Sequence, residues 1–589
     1  MRAIGATLTR RVNRLTRSLY ALSISAAVLS SGACKKPQVT QDAAPRALPP
    51  PTRPANLLMS AHFGHPMSSV RRLAALASMN VPFELGMSLV LGFDSTMLAA
   101  IDLDKPADVV VTGTPDERDV TVAFFPAAQT SLRSTLSTRF RLTTVEGVGE
   151  RLDLRAPSNR EQAWRCAIVG APGEVSSRLV CSTSERALSG AARWTALVSS
   201  QRATEGDDGV LDIDGSSARA GLAPYLRRII DQSSAMLGTS AQQARDEHTR
   251  APDFGDPEPI VNRARSLSTQ VDAMVADLRS ISIKLTIESN ALVIDATGSL
   301  DAAGSSTIAQ GTARAISMPT AHPLTGRLAP DSSLAGGWRT PAEALRAHLQ
   351  NAARMVLDVL GSRVPSPELA QADFEALFAH VGDEVAFSLS RGPAPAQRRP
   401  ARAGQAPEEP ALGPWEFTAL ASQEDNATGA LAVLPRISRA SWLRGMRFGT
   451  AAPTITAARN AVVLRIPPRP EPIAQPGERQ EARAPQINSE LGLAVSQGQL
   501  AVLWGANVRD QLRRLDLRTA GPAPNVLASG NEAPFVFGVD ARALRGETPP
   551  APLRLSWSAS REGSTLESRF HLSLSEQVLR MLRRARRPE

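Results

Sequence analysis

Apolar positions along this chain change their spacing several times, and the order of the changes repeats. From Arg165 the text RCAIVGAPGEVSSRLVCSTSERALSG sets two short apolar runs across a turn containing Gly173, then enters a stripe carrying Leu188, Ala192, Trp194 and Leu197. Far downstream, LGLAVSQGQLAVLWGANVRDQLRRL from Leu491 repeats that sequence of events. Short apolar runs bounded by turn residues predict strands, and residues recurring every three to four positions predict helices.

Extended over the chain, the same reading predicts helices over 67–79 and 82–101, strands at 108–112 and 119–125, and a helix over 129–140. Strands follow at RLTTVE, ERLDLR and around Cys166 and Cys181, with a helix announced by Ser182 and Ser184. Then come a strand at 210–214, an amphipathic helix with Leu226, Ile229 and Ile230, a helix over 260–278, and a closing strand pair that turns at Asn290. A second series has helices at 341–360 and 368–380, a strand at 384–390, WEFTAL, and a helix near 439–446. PFVFGVDARALRG from Pro534 parallels GVLDIDGSSARAG from Gly209, and runs near 553–557 and 564–574 answer the first closing pair.

The fold class expected is therefore α+β: two tandem related units, each a mainly antiparallel sheet with packed helices. Short connections favour antiparallel pairing, and alternation of Thr or Ser with Val or Leu favours helices on one side only. The boundaries expected are 55–301 for the first unit and 302–589 for the second. Pro-, Ala- and Arg-rich stretches near 391–413 and 467–486 read as disordered loops on the second unit.

The front of the chain carries an address. Arg2, Arg10, Arg11, Arg14 and Arg17 form a basic region, LYALSISAAVL from Leu19 is too short to span a bilayer, and Ser31, Gly32 and Ala33 lead directly to Cys34. This resembles the bacterial lipoprotein signal, with Ser31 standing where leucine is usual. The resemblance implies removal of residues 1–33 and lipidation of Cys34. Lys35 follows, where lipoproteins kept at the inner membrane carry Asp, so the resemblance implies the outer membrane. PQVTQDAAPRALPPPTRP from Pro37 has too many prolines and too few apolar residues for a core, and reads as a disordered tether completing 34–54. The plan as a whole is similar to uncharacterised bacterial surface lipoproteins built from repeated helix-and-sheet modules.

Charge changes the picture less than its total suggests. The net charge is +9, but the leader, Lys35, Lys36 and the RMLRRARRPE tail hold all of the excess, leaving −2 from Pro37 to Leu579. A nucleic-acid groove is not implied. Of three cysteines, Cys34 is assigned to lipid, so Cys166 and Cys181 remain as an expected disulfide in an exported chain.

Candidate chemistry is sparse. His62 and His65 lie close in SAHFGHPMS but lack a third ligand in a familiar zinc pattern. Asp212 and Asp214 share one strand face, Ser216 or Ser217 reads as a helix N-cap, and His571 has no partner by spacing. There is no phosphate loop, dinucleotide fingerprint or metalloprotease motif. No catalytic, cofactor or metal residue is nominated. The function expected is a noncatalytic envelope lipoprotein, held to the membrane by its N-terminal lipid and binding an envelope protein or a hydrophobic ligand. A secreted hydrolase with dispersed residues and a structural spacer are the alternatives.

Overall fold

The structure is a computed structural model that describes residues 52–54, 56–78, 95–114, 117–127, 132–145, 148–154, 164–170, 177–197, 208–248, 262, 271–273, 275–360, 363–393, 413–425, 427–446, 452–466, 489–527, 533–545 and 550–584. The described residues up to Pro224, with Val275–Asp301 and those from Arg569 onward, form one compact unit. Those of Tyr225–Met274 and Ala302–Ser568 form the other. The fold is α+β, and every register described between paired strands is antiparallel.

In the first unit the strands are β1 (Leu57–Phe63), β2 (Ala107–Gly113), β3 (Arg118–Phe124), β4 (Phe140–Val145), β5 (Gly149–Leu154), β6 (Arg165–Val169), β7 (Arg178–Ser182), β8 (Gly209–Asp214), β9 (Leu278–Ile287) and β10 (Ala291–Asp301). They pair in the order β4-β5-β6-β7-β3-β2-β1-β8-β9-β10. Helices α1 (Pro66–Leu76) and α2 (Ser95–Ala100) lie between β1 and β2 in sequence, α3 (Leu132–Ser137) follows β3, and α4 (Glu185–Leu197) follows β7. The long helix α5 (Gly215–His248) starts directly after β8, and from Tyr225 onward its residues group with the other unit. The expected helix over 82–94 and most of that over 260–278 lie outside the described residues.

In the second unit α6 (Thr307–Ile316) precedes β11 (Leu334–Arg339), α7 (Ala342–Leu360) and α8 (Pro367–Phe378). Next come β12 (Val381–Arg391), β13 (Trp415–Gln423), α9 (Thr428–Arg439), α10 (Ser441–Gly445), β14 (Thr454–Ala458), β15 (Ala461–Ile466), β16 (Ser489–Ser496) and β17 (Gln499–Gly505). Helix α11 (Val508–Leu517), β18 (Phe535–Asp540) and β19 (Pro552–Glu562) follow, and β20 (Thr565–Ser575) turns back from β19 at Gly563. The pairing order is β14-β15-β16-β17-β13-β12-β11-β18-β19. Subtracting ten from each strand number turns this order into the first nine strands of the other unit.

Helices cover both faces of the sheet in each unit, which corrects the expectation of one-sided packing. In the second unit Val462 and Leu464 face a core with α7–α10, while their neighbours Ala461 and Val463 face a core with Val508 and Leu515 of α11. In the first unit Phe124 and Ile168 pack with α2 and α3, and Ala123 and Ala167 pack with α4. Central strands buried on both sides read as continuous apolar runs, as RCAIV and RLVCS do. Among the described residues no helix is long and apolar enough to cross a membrane.

Cys166 and Cys181 face each other directly in the β6–β7 register, their sulfurs at disulfide distance, 2.15 Å. Cys34 lies outside the described residues. So do the interiors of both proline-rich stretches, 394–412 and 467–488, although Arg391 belongs to β12 and Gly392 donates its N–H to Pro414 O.

Candidate functional site

A cavity of about 310 Å³ lies in the second unit. Its wall combines Ala329 and Asp331 ahead of β11, Ser390 to Pro393 at the end of β12, Glu416 and Thr418 at the start of β13, and one stripe of α11. That stripe is Gln511, Arg514, Leu515 and Arg518, spaced so that all four share a helix face. The helix starts there because Asn507 accepts the Asp510 N–H as its N-cap and Glu490 accepts the Val508 N–H. Leu515 belongs to the core, so the polar members of the stripe are held at the edge of packed structure.

Arg514 directs one nitrogen, Nη2, at both oxygens of Glu416, at 2.6 and 2.5 Å. Its other two nitrogens have no bond among the described residues. Arg518 donates Nη1 to Arg327 O at 3.3 Å. Gln511 is 5 % exposed, and its amide orientation is set by two bonds from Nε2, to Phe417 O at 2.8 Å and to Thr418 Oγ1 at 2.9 Å. Its Oε1 is thereby left buried with no partner among the described residues. Gly505 keeps space beside it open: a Cβ there would stand 3.4 Å from Gln511 Oε1 and 3.2 Å from Glu416 Cγ. Across the cavity, Gly392 is a glycine for a harder reason, since a Cβ would sit 2.5 Å from Glu416 Oε1.

The first unit has a cavity of about 170 Å³ built from the corresponding elements. Pro54 and Asn56 precede β1, Thr112 ends β2, Asp119 begins β3, and Arg186, Ala187, Gly190 and Ala191 come from α4. Arg186 pairs with Asp119 at 3.1 Å, as Arg514 pairs with Glu416.

Each unit also buries a histidine beside an acid on its second strand. In the first, Asp108 accepts from Arg178 at 2.5 Å and lies 2.7 Å from His62 Nδ1, with all three side chains under a tenth exposed. Arg178 also donates to Ala123 O at 3.0 Å and lies 4.4 Å from the Phe125 ring centre. In the second, Glu384 accepts the Leu324 N–H at 2.9 Å and lies 4.0 Å from His322 Nδ1. His322 Nε2 is 2.6 Å from Ala533 O, an acceptor, so Nε2 carries the proton and Nδ1 the lone pair. Burial pushes the Glu384 carboxyl up to about 7, against the opposing pull of the Leu324 N–H and Arg339. Burial also pushes His322 below the ordinary imidazole range, and Arg339 adds to that push. None of these acids and histidines lines either cavity.

The residues singled out from sequence separate in space. His62 turns inward to Asp108, whereas His65 is exposed with Nδ1 2.8 Å from Asp104 O. Asp214, rather than either serine, caps α5: it accepts the Ser216 N–H at 3.0 Å, and Ser217 donates instead to Leu57 O. The Ser216 hydroxyl, then its N–H and Arg53, hold the Asp214 carboxyl below its usual range. His571 does find a carboxylate, Asp295 at 2.7 Å, in an exposed pair. Among the described residues no three His, Cys, Asp or Glu side chains group as a metal site. Sequence reading missed the α11 stripe, although the spacing of Gln511, Arg514 and Arg518 on an otherwise recognised helix was there to be found. Comparison with protein-family models, curated proteins and solved structures finds no match to this chain.

Proposed function

We propose that this chain is a noncatalytic, lipid-anchored protein of the bacterial envelope, made by duplication of one α+β unit and working as a binding module. The observation that carries the binding role is the recurrence of a cavity at one place in both units, each time beside an arginine–carboxylate pair. Duplication is supported by the nine-strand order common to the units and by helices that follow the first, third and seventh strands of each. A binding role without chemistry is supported by the placement of the histidine–carboxylate pairs. His322 and Glu384 have side chains 1 % and 2 % exposed, so a substrate has no route to them. The polar wall of the second unit's cavity favours a hydrophilic partner over hydrophobic cargo there.

The anchor rests on the residues leading to Cys34, with the outer membrane as its site. Expression of the full chain in a Gram-negative host fed labelled palmitate tests it. Label is expected on the wild type and absent from Cys34→Ala. Equal labelling of both, or an unlabelled wild type retaining residues 1–33, overturns the anchored reading.

A further inference from the structure

We infer that the arginine stripe of residues 580–587 docks on the anionic headgroups of a phospholipid bilayer. This rests on the anchored reading, which brings the first unit to a membrane, and deepens it. Helix α12 (Glu576–Arg584) follows β20 in the first unit, the unit that also holds residues 52–54 at the end of the expected tether. Its Glu576 N–H donates to Asn290 O at 2.9 Å, at the turn between β9 and β10. Val578 is buried, and Leu579 packs with Leu73 and Leu76 of α1. That side of the helix belongs to the core of its own unit. With about 3.6 residues per turn, positions 580, 583 and 584 fall opposite Val578. Arg587 keeps the same spacing in sequence.

Charge names the partner. Residues 580–589 hold five arginines against Glu589, a net of +4, while Pro37 to Leu579 sums to −2. Like charges three or four positions apart destabilise a helix, and this stripe sets 580 and 587 each against both 583 and 584. Within the helix Glu576 is the one acid, and it pairs with the exposed Arg580. The helix dipole favours a cation in the last turn, which accounts for Arg583 or Arg584 singly but not for the stripe. A solvated tail gains nothing from gathering its charge on one side. An anionic surface removes the repulsion and attracts every arginine on that side. Because Val578 and Leu579 are engaged by the unit's own core, the contact is made through charge and not by insertion of an apolar face. It is therefore sensitive to salt.

The test is hydrogen exchange on the full chain with vesicles of phosphatidylcholine alone or of phosphatidylcholine mixed with phosphatidylglycerol. Amides of α12 are expected to exchange about tenfold more slowly on the anionic vesicles at low salt, and equally on both at high salt. Combining Arg580→Gln, Arg583→Gln and Arg584→Gln is expected to abolish the difference between vesicles. Exchange in β9 and β10 is expected to be the same in variant and wild type, so loss of folding cannot mimic the result. Equal exchange on both vesicles, slowing that survives high salt, or slowing retained by the triple variant overturns the proposal. So does slowing by soluble heparin with none by vesicles. Palmitate labelling of the same preparation separates the two readings. Label on Cys34 without slowing sinks the docking alone, and slowing without label sinks the anchor alone.

Discussion

Glu384 carries the clearest pH signature among the described residues. Its folded pKa of about 7 against 4.5 in an open chain means that the folded state holds the proton more tightly. The resulting stability is fully present below the open-chain value and is lost as pH rises through about 7, a difference of roughly 3 kcal/mol. Glu384→Gln keeps the neutral shape without the ionisation. Urea unfolding of the second unit is expected to give the variant a higher midpoint at pH 8 and near equality with wild type at pH 4. A wild-type midpoint equal to the variant's at both values would show that Glu384 ionises freely. His322, with its lowered pKa, has the opposite sign: its contribution is present above the imidazole range and is lost as pH falls. It is common to both proteins and cancels in the comparison.

At the scale of elements, the β6–β7 pair joins register to covalent chemistry. Cys166 and Cys181 are 15 residues apart in sequence and directly opposed in the ladder. Closing a loop of that length removes unfolded-state freedom worth about 3 kcal/mol. Reduction, or Cys166→Ala with Cys181→Ala, is expected to lower the first unit's unfolding free energy by about that amount and to leave the second unit's transition in place. Coincident loss of both transitions would contradict independent cores.

Elements with strong periodicity were legible in the chain: β2, β3, β6, β7, α4, α7, β16, β17 and α11 all fall where apolar spacing puts them. β11 was hidden because LAGGWR spends two of its six positions on glycine. The structure gives the reason: a Cβ at Gly336 would stand 2.5 Å from the Phe387 ring and one at Gly337 2.8 Å from His322 Nδ1. A strand can sit at the centre of a sheet and read as a turn when neighbours need its Cβ space. The hairpin β14–β15 was missed for want of length, since TITAA offers one large apolar residue. The site was less legible than the fold. Glu416 and Gln511 meet across 95 positions of sequence because β13 lies beside β17, and no local spacing encodes that.

For the molecule as a whole, the proposed duplication would account for features that are otherwise unrelated. The strand order, the buried acid on the second strand of each unit, and the cavity between helix and strand ends all occur twice. What differs is charge: the wall of the second unit's cavity carries three guanidiniums and two carboxylates, and the first unit's cavity is smaller and holds one of each. A crystal structure of the full chain tests this account most directly. The account predicts that β1–β9 and β11–β19 superpose strand for strand, each set with a cavity beside its arginine–carboxylate pair, Arg186 with Asp119 and Arg514 with Glu416. Strand connections that differ between the units, or a cavity absent from either place, would contradict it.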